Sequence, residues 1–130
     1  MGDDQFNAIR RCILFVDDEQ AIRRVGERAL TQAGFEVLVA DSGGQALELY
    51  ARHQETIELV ILDLSMPQMN GIDTFRELLK VSPDVRVVLS SGYDASDAEH
   101  HGPELKPAGF IQKPYRIASL LETVVALLRP

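Results

Sequence analysis

Apolar residues gather in five short runs: Ile13-Leu14-Phe15-Val16, Val37-Leu38-Val39-Ala40, Leu59-Val60-Ile61-Leu62, Val87-Val88-Leu89 and Phe110-Ile111. Most members are β-branched or aromatic, and no run alternates strictly with polar residues. This pattern predicts strands buried on both faces, as in a parallel sheet covered by helices. The stretches between carry helical spacing. Ile22, Val25, Ala29 and Ala33 form one stripe, and Gly34 supplies a C-terminal stop. Ser42 is placed to cap a second helix bearing Ala46, Leu47 and Tyr50. Ile72, Phe75, Leu78 and Leu79 mark a third, ending near Ser82-Pro83. Ile117, Leu120, Leu121, Val124 and Leu128 mark the last. The 95–108 segment starts with acids, but Gly102, Pro103 and Pro107 bar a long helix, so a short or irregular fourth helix is expected there.

The order reads β-α-β-α-β-α-β-(α)-β-α. Such alternation predicts an α/β domain with a doubly wound, five-stranded parallel sheet in strand order 2-1-3-4-5, flavodoxin-like. Residues 1–10 read as an N-terminal tail and 11–130 as one domain, without repeat, linker or low-complexity segment.

Composition narrows the function classes. A chain of 130 residues supports a single core without disulfide or structural metal. The net charge of −7, with no basic run, argues against direct nucleic-acid binding. No apolar run reaches the roughly 20 residues of a membrane span, so no membrane contact is expected. The first residues lack the basic and apolar blocks of a signal peptide, and Cys12 is the only cysteine, which together predict a reducing, cytoplasmic setting.

The polar residues matter through their places. In this fold ligands bind beyond the carboxyl ends of the strands, near the switch point between strands 1 and 3. Strand 1 ends in Asp17-Asp18, strand 3 in Asp63, strand 4 in Ser90-Ser91-Gly92 and strand 5 in Gln112-Lys113-Pro114. Three neighbouring carboxylates repel one another, and a divalent cation removes the conflict. An oxygen-only ligand set suits Mg²⁺, and the absence of His and Cys from these strand ends argues against zinc. Lys113 offers a positive charge to a phosphate, Ser91 a hydroxyl donor, and Asp63 a carboxylate nucleophile. Each feature alone has a plainer meaning. Asp17-Asp18 can be an N-cap cluster, Asp63 a loop acid, Ser91 a turn residue and Lys113 a solvated charge. Their joint placement at four strand ends favours the site.

These residues resemble the receiver domains of two-component response regulators. The likeness runs from about Arg11 to Leu128 and rests on four ordered motifs: Phe15-Val16-Asp17-Asp18-Glu19, the run Leu62-Asp63-Leu64-Ser65-Met66-Pro67-Gln68-Met69-Asn70-Gly71, Leu89-Ser90-Ser91-Gly92, and Phe110-Ile111-Gln112-Lys113-Pro114. The resemblance implies Asp63 as phosphoacceptor, Asp18 as direct Mg²⁺ ligand, Asp17 assisting through water, and the Ser65 backbone carbonyl as a further ligand. It implies Ser91 as switch hydroxyl, Lys113 as the phosphate-contacting lysine with a cis bond to Pro114, and Phe110 as switch aromatic, a position that core packing explains equally well. It further implies a regulatory phosphoacceptor rather than an enzyme, limited to self-catalysed phosphoryl transfer and slow autodephosphorylation. The expected donor is a histidine kinase or histidine phosphotransfer domain, docking near the helix that carries Arg23, Arg24 and Arg28, although a solvated helix face would also explain those arginines.

Two features depart from the family pattern. His100-His101-Gly102-Pro103-Glu104 interrupts the usual fourth helix and puts the usual output face in doubt; the two histidines beside Asp97 and Glu99 read as a solvated turn rather than a metal site. Ser65 and Tyr93 fall where the family tunes phosphoryl lifetime. Only Arg129-Pro130 follow Leu128, so an output domain is not expected on this chain, and the Ser90 to Tyr93 and Gly109 to Tyr115 stretches resemble receivers attached to hybrid sensor histidine kinases. Three rivals stand beside this reading. A haloacid-dehalogenase-type phosphatase wants a second Asp where Ser65 stands. A flavin module wants a phosphate loop where Asp17-Asp18-Glu19 stand. A docking module on the same fold needs no phosphorylation at all.

Overall fold

In the computed structural model, which describes residues 11–66, 70–92 and 105–128, strand β1 (Cys12–Val16) lies between β2 (Glu36–Ala40) and β3 (Ile57–Asp63). The sheet continues through β4 (Val87–Ser91) to β5 (Gly109–Gln112), in the order β2-β1-β3-β4-β5 with every pairing parallel. Helices α1 (Gln20–Gln32), α2 (Gly43–His53), α3 (Gly71–Val81) and α4 (Ile117–Leu128) complete the described elements. The predicted strand order therefore holds. The expected tail at 1–10, and most of the segment expected to hold a short fourth helix, lie outside the described residues; 105–108 form no helix.

Successive strand residues point to opposite faces of a sheet, and both faces here are covered. Leu14, Val16, Val60, Leu62 and Leu89 pack with Ala46, Tyr50, Phe75 and Leu78 on the α2/α3 side. Ile13, Phe15, Leu59, Ile61, Val88 and Ile111 pack with Leu30, Leu120 and Val124 on the α1/α4 side. This double burial is why the strand runs do not alternate. Strand β2, at the sheet edge, is correspondingly less buried.

The local stops follow side-chain chemistry. Gly34 takes φ 103°, and the Gly34 and Phe35 N–H groups donate to the Thr31 and Leu30 carbonyls at 3.0 and 3.1 Å, closing α1 as a Schellman motif. Ser42 caps α2 by accepting from the Gln45 N–H at 3.2 Å, and Asn70 caps α3 by accepting from the Asp73 N–H at 2.8 Å. Helix α3 stops at Ser82, as its Ser-Pro pair predicts.

Helix α1 is turned relative to its predicted stripe. Its buried residues are Gly26, Ala29 and Leu30, whereas Val25 is 48% exposed and Ala33 is exposed. The reason is the approach of Gly26 to Phe15: a Cβ there would stand 2.5 Å from the ring's Cζ. Seating the bare backbone on the ring carries Val25, about 100° away around the helix, out to solvent. Ile117 at the start of α4 is also 48% exposed, outside the core that its spacing suggested.

Gly26→Ala is expected to lower stability by about 1–3 kcal/mol, because Phe15 is walled in and cannot yield freely. Gly44→Ala, on a helical position with nothing within 4 Å, is expected to raise it by about 0.4–1 kcal/mol. Urea denaturation of both variants checks the contrast.

Candidate functional site

The sheet order reverses between β1 and β3, so their carboxyl ends open side by side. Beyond Val16 the chain stays in the ladder for one more residue, with Asp17 N–H donating to the Ala40 carbonyl at 3.1 Å. Asp17 thereby continues the inward row of Ile13 and Phe15, and it is wholly buried. Asp63 closes β3 and is 2% exposed. Carboxylate oxygens of Asp17, Asp18 and Asp63 all lie within 4.8 Å of one another. Asp18 is the exposed member.

Backbone groups and one arginine fix this edge. Asp17 Oδ1 accepts from the Glu19 N–H at 2.9 Å, and Asp63 Oδ1 accepts from the Ser65 N–H at 3.0 Å. Arg23 Nη1 donates to the Asp17 carbonyl at 2.8 Å. Arg23 therefore braces the acid edge from within, leaving Arg24 and Arg28 as the exposed arginines of α1. The loop after Asp63 is held by the Leu64 N–H on the Ser90 carbonyl and the Gly71 N–H on the Leu64 carbonyl. Gly71 cannot carry a side chain here, since a Cβ would lie 2.5 Å from the Asp63 carbonyl oxygen and 2.6 Å from Leu64 Cα.

Lys113 enters from β5. Its N–H donates to the Ser91 carbonyl at 2.6 Å, and its bond to Pro114 is cis, as expected. Its Nζ stands 2.7 Å from Asp17 Oδ2, 3.2 Å from Asp63 Oδ2 and 4.0 Å from Glu19 Oε1. Burial disfavours the ammonium, but the hydrogen bond to Asp17 and the charges of Asp63 and Asp17 outweigh it and hold the lysine above its ordinary range. Asp63 is also raised. Burial is the main cause and the Asp17 charge adds to it, while the Ser65 N–H and Lys113 pull the other way without cancelling them.

Ser91 ends β4 wholly buried. It lies two residues beyond Leu89, which pairs with Phe110 across the β4–β5 ladder, so Ser91 and Phe110 share the α2/α3 face. Phe110 is half-buried against that core. Ser65 is exposed at the mouth of the site. Tyr93, Asp97, Glu99, His100 and His101 lie outside the described residues. Asp17, Asp18, Asp63, Ser65, Ser91 and Lys113 reach one edge of the sheet and Phe110 lies on the strand leading to it, while Arg24 and Arg28 stay on the exposed face of α1. Sequence spacing missed the clearance given by Gly71, the brace from Arg23, the approach of Glu19 to Lys113, and Tyr115, whose hydroxyl is buried. The Asn70-Gly71 pair next to a helix start was the one available signal for the first. The oxygen-only donor set fits a hard divalent cation such as Mg²⁺, and the repulsion within it is what such an ion relieves.

Sheet order and acid edge together define a receiver-type α/β domain. The family model described as response regulator receiver domain matches residues 13–125, and the chain belongs to that family. It is 36% identical over 116 residues to a sensor kinase, CckA, of Brucella abortus, covering 89% of this chain and 12% of that protein. The chain thus spans between 12% and 50% of the length of the first curated relatives it matches. Among solved structures, the receiver domain of the hybrid histidine kinase CckA matches with a TM-score of 0.77 at 33% identity, covering 91% of this chain and 99% of that one. The response regulator TrrA from Thermotoga maritima, in complex with Mg²⁺ and a beryllium fluoride, matches with a TM-score of 0.79 at 29% identity, covering 91% and 99%. No helix among the described residues is long and apolar enough to cross a membrane.

The raised Asp63 binds its proton more tightly folded than unfolded. Without metal, stability should therefore fall as pH rises from the ordinary aspartate range, near 4, through the raised folded value. Asp63→Asn is expected to raise the metal-free thermal midpoint at pH 7 by a few degrees. Added Mg²⁺ should stabilise the parent chain more than the variant, as differential scanning fluorimetry with and without EDTA would read.

Proposed function

We propose that this domain is a phosphoryl-accepting switch in a two-component phosphorelay, with Asp63 as the acceptor. The observation that carries this is the pairing of a buried, charge-crowded Asp63 with Lys113 at 3.2 Å. A carboxylate oxygen of Asp63 attacks the phosphorus of a phosphohistidine, the P–N bond breaks, and the imidazole leaves with the bonding electrons. The Ser65 N–H on Asp63 Oδ1 fixes the carboxylate for in-line attack. Lys113 turns its ammonium from the carboxylates to the incoming phosphoryl oxygens, and the Ser91 hydroxyl donates to another. Asp17, Asp18, Asp63 and the Ser65 carbonyl would hold Mg²⁺, which supplies charge neutralisation for the phosphoryl oxygens. No separate substrate is turned over; slow hydrolysis of the acyl phosphate resets the switch.

Phosphorylation then favours the conformer with Ser91 drawn toward the phosphoryl group and Phe110 moved into the space behind it. That Ser91 and Phe110 share one sheet face supports this coupling. The absence of a second Asp where Ser65 stands weighs against the phosphatase reading, and the acids after β1 weigh against a flavin. A histidine kinase or phosphotransfer domain is the partner that suits an aspartate acceptor, in the cytoplasm, where the lone buried Cys12 stays a thiol with its pKa pushed up to about 11 by burial and Glu36.

Incubation with acetyl phosphate and Mg²⁺ should add one phosphoryl group by intact-mass spectrometry, and Asp63→Asn or EDTA should abolish it. A metal-loaded parent chain left unmodified by acetyl phosphate and by a phosphohistidine donor would turn the reading to a docking module.

The donor's docking face is best placed between α1 and α4, where Val25, Arg28, Ala29, Ile117 and Leu121 line an open groove. Exposed Val25 and Ile117 supply apolar contact, and Arg24 and Arg28 a basic rim. Val25→Asp combined with Ile117→Asp is expected to slow transfer from a phosphohistidine donor by about tenfold or more. Labelling by acetyl phosphate, which needs no docking, should be unchanged, as parallel time courses would show.

A further inference from the structure

Tyr115 lies two residues beyond Lys113, with its ring packed against the α1/α4 core. Its hydroxyl is buried and has no hydrogen-bond partner in the protein. Asp17 Oδ2 is likewise buried, and the partner shown for it is the Lys113 ammonium at 2.7 Å. One atom is a donor and the other an acceptor. Both sit on the same side of the sheet, since Asp17 continues the row of Ile13 and Phe15. Burial keeps the phenol protonated well above its ordinary range, and the charges of Asp17, Asp63 and Glu19 reinforce this. The hydroxyl is thus a standing donor on the side of the sheet that carries Asp17 and Asp63. Left unmatched, a buried hydroxyl costs about 1–3 kcal/mol, which a phenylalanine at the same place would avoid.

We propose that Tyr115 is a positioning residue of the site: its hydroxyl donates, through one buried water, to Asp17 Oδ2. The donor orients Asp17 toward the metal already before phosphorylation, and its role grows when Lys113 turns away toward a phosphoryl group on Asp63. Asp17 Oδ2 then loses its cation, and the Tyr115 donor keeps the carboxylate oriented toward the metal. The inference rests on the metal-binding reading above and deepens it.

Tyr115→Phe in the full chain keeps the ring and removes the hydroxyl. Isothermal titration with Mg²⁺ alone, without phosphodonor, is expected to show about tenfold weaker binding, the usual scale for loss of a group that orients a metal ligand. The thermal midpoint in EDTA should stay unchanged or rise. A high-resolution crystal structure of the Mg²⁺-bound parent should show a water within hydrogen-bond distance of both Tyr115 Oη and Asp17. Unchanged Mg²⁺ affinity, with or without a fall in the midpoint, overturns the proposal, and so does a structure lacking that water. A parent chain that binds Mg²⁺ but takes no phosphoryl group from acetyl phosphate defeats the proposed function instead, whatever residue stands at 115.

Discussion

Lys113 Nζ stands between two buried carboxylates, 2.7 Å from Asp17 and 3.2 Å from Asp63, and the state of the whole site turns on that arrangement. Two like charges about 4 Å apart at a protein surface oppose each other by about 4 kcal/mol, and here a third acid, Asp18, lies within 4.8 Å. One ammonium cannot neutralise three carboxylates, and burial first, with the Asp17 charge added to it, keeps Asp63 raised. The pocket is left with unspent attraction for positive charge. In the proposed function, a carboxylate that resists ionisation alone would become a serviceable nucleophile once a divalent ion shared the load, and the same ion would free Lys113 for an incoming phosphoryl group. Tight caging is what makes this possible. Gly71 brings the start of α3 against the Asp63 carbonyl, and Arg23 ties α1 to the Asp17 carbonyl.

The strand order and the edge where chemistry collects were legible because both follow from topology. Uninterrupted apolar runs such as Leu59 to Leu62 occur when both sheet faces are covered, and the structure buries all four of them. The strand-end residues Asp17, Asp63, Ser91 and Lys113 meet because parallel strands carry their C-termini to one side. Helix rotation was not legible. The Ile22-Val25-Ala29 spacing is a sound amphipathic pattern, yet a glycine has no hydrophobic signature, and the contact of Gly26 with Phe15 is what sets the facing of α1. Bracing contacts escaped for a similar reason. Arg23 reads like Arg24 and Arg28 along the chain, and only the turn of the helix aims it at a backbone carbonyl. Tyr115 reads as a core aromatic, and its ring is one; the placement of its hydroxyl depends on the path of β5, which local pattern does not specify.

The two faces of the sheet divide the work. Asp17 and Asp63 continue the rows of Phe15 and Ile61 on the α1/α4 side, where Tyr115 and the Val25/Ile117 groove also lie. Ser91 and Phe110 belong to the opposite side, with Leu89 and the α2/α3 core. In the proposed reading, phosphoryl entry and metal binding act on one face, and the change of conformation is expressed on the other. The link between them is short and mostly backbone: the Leu64 N–H on the Ser90 carbonyl, and the Lys113 N–H on the Ser91 carbonyl at 2.6 Å. A lysine drawn toward a phosphoryl group therefore moves against the carbonyl of the residue whose hydroxyl is drawn to the same group. Such an arrangement favours two discrete positions over a graded shift, because the packed rows on either side resist intermediate placements.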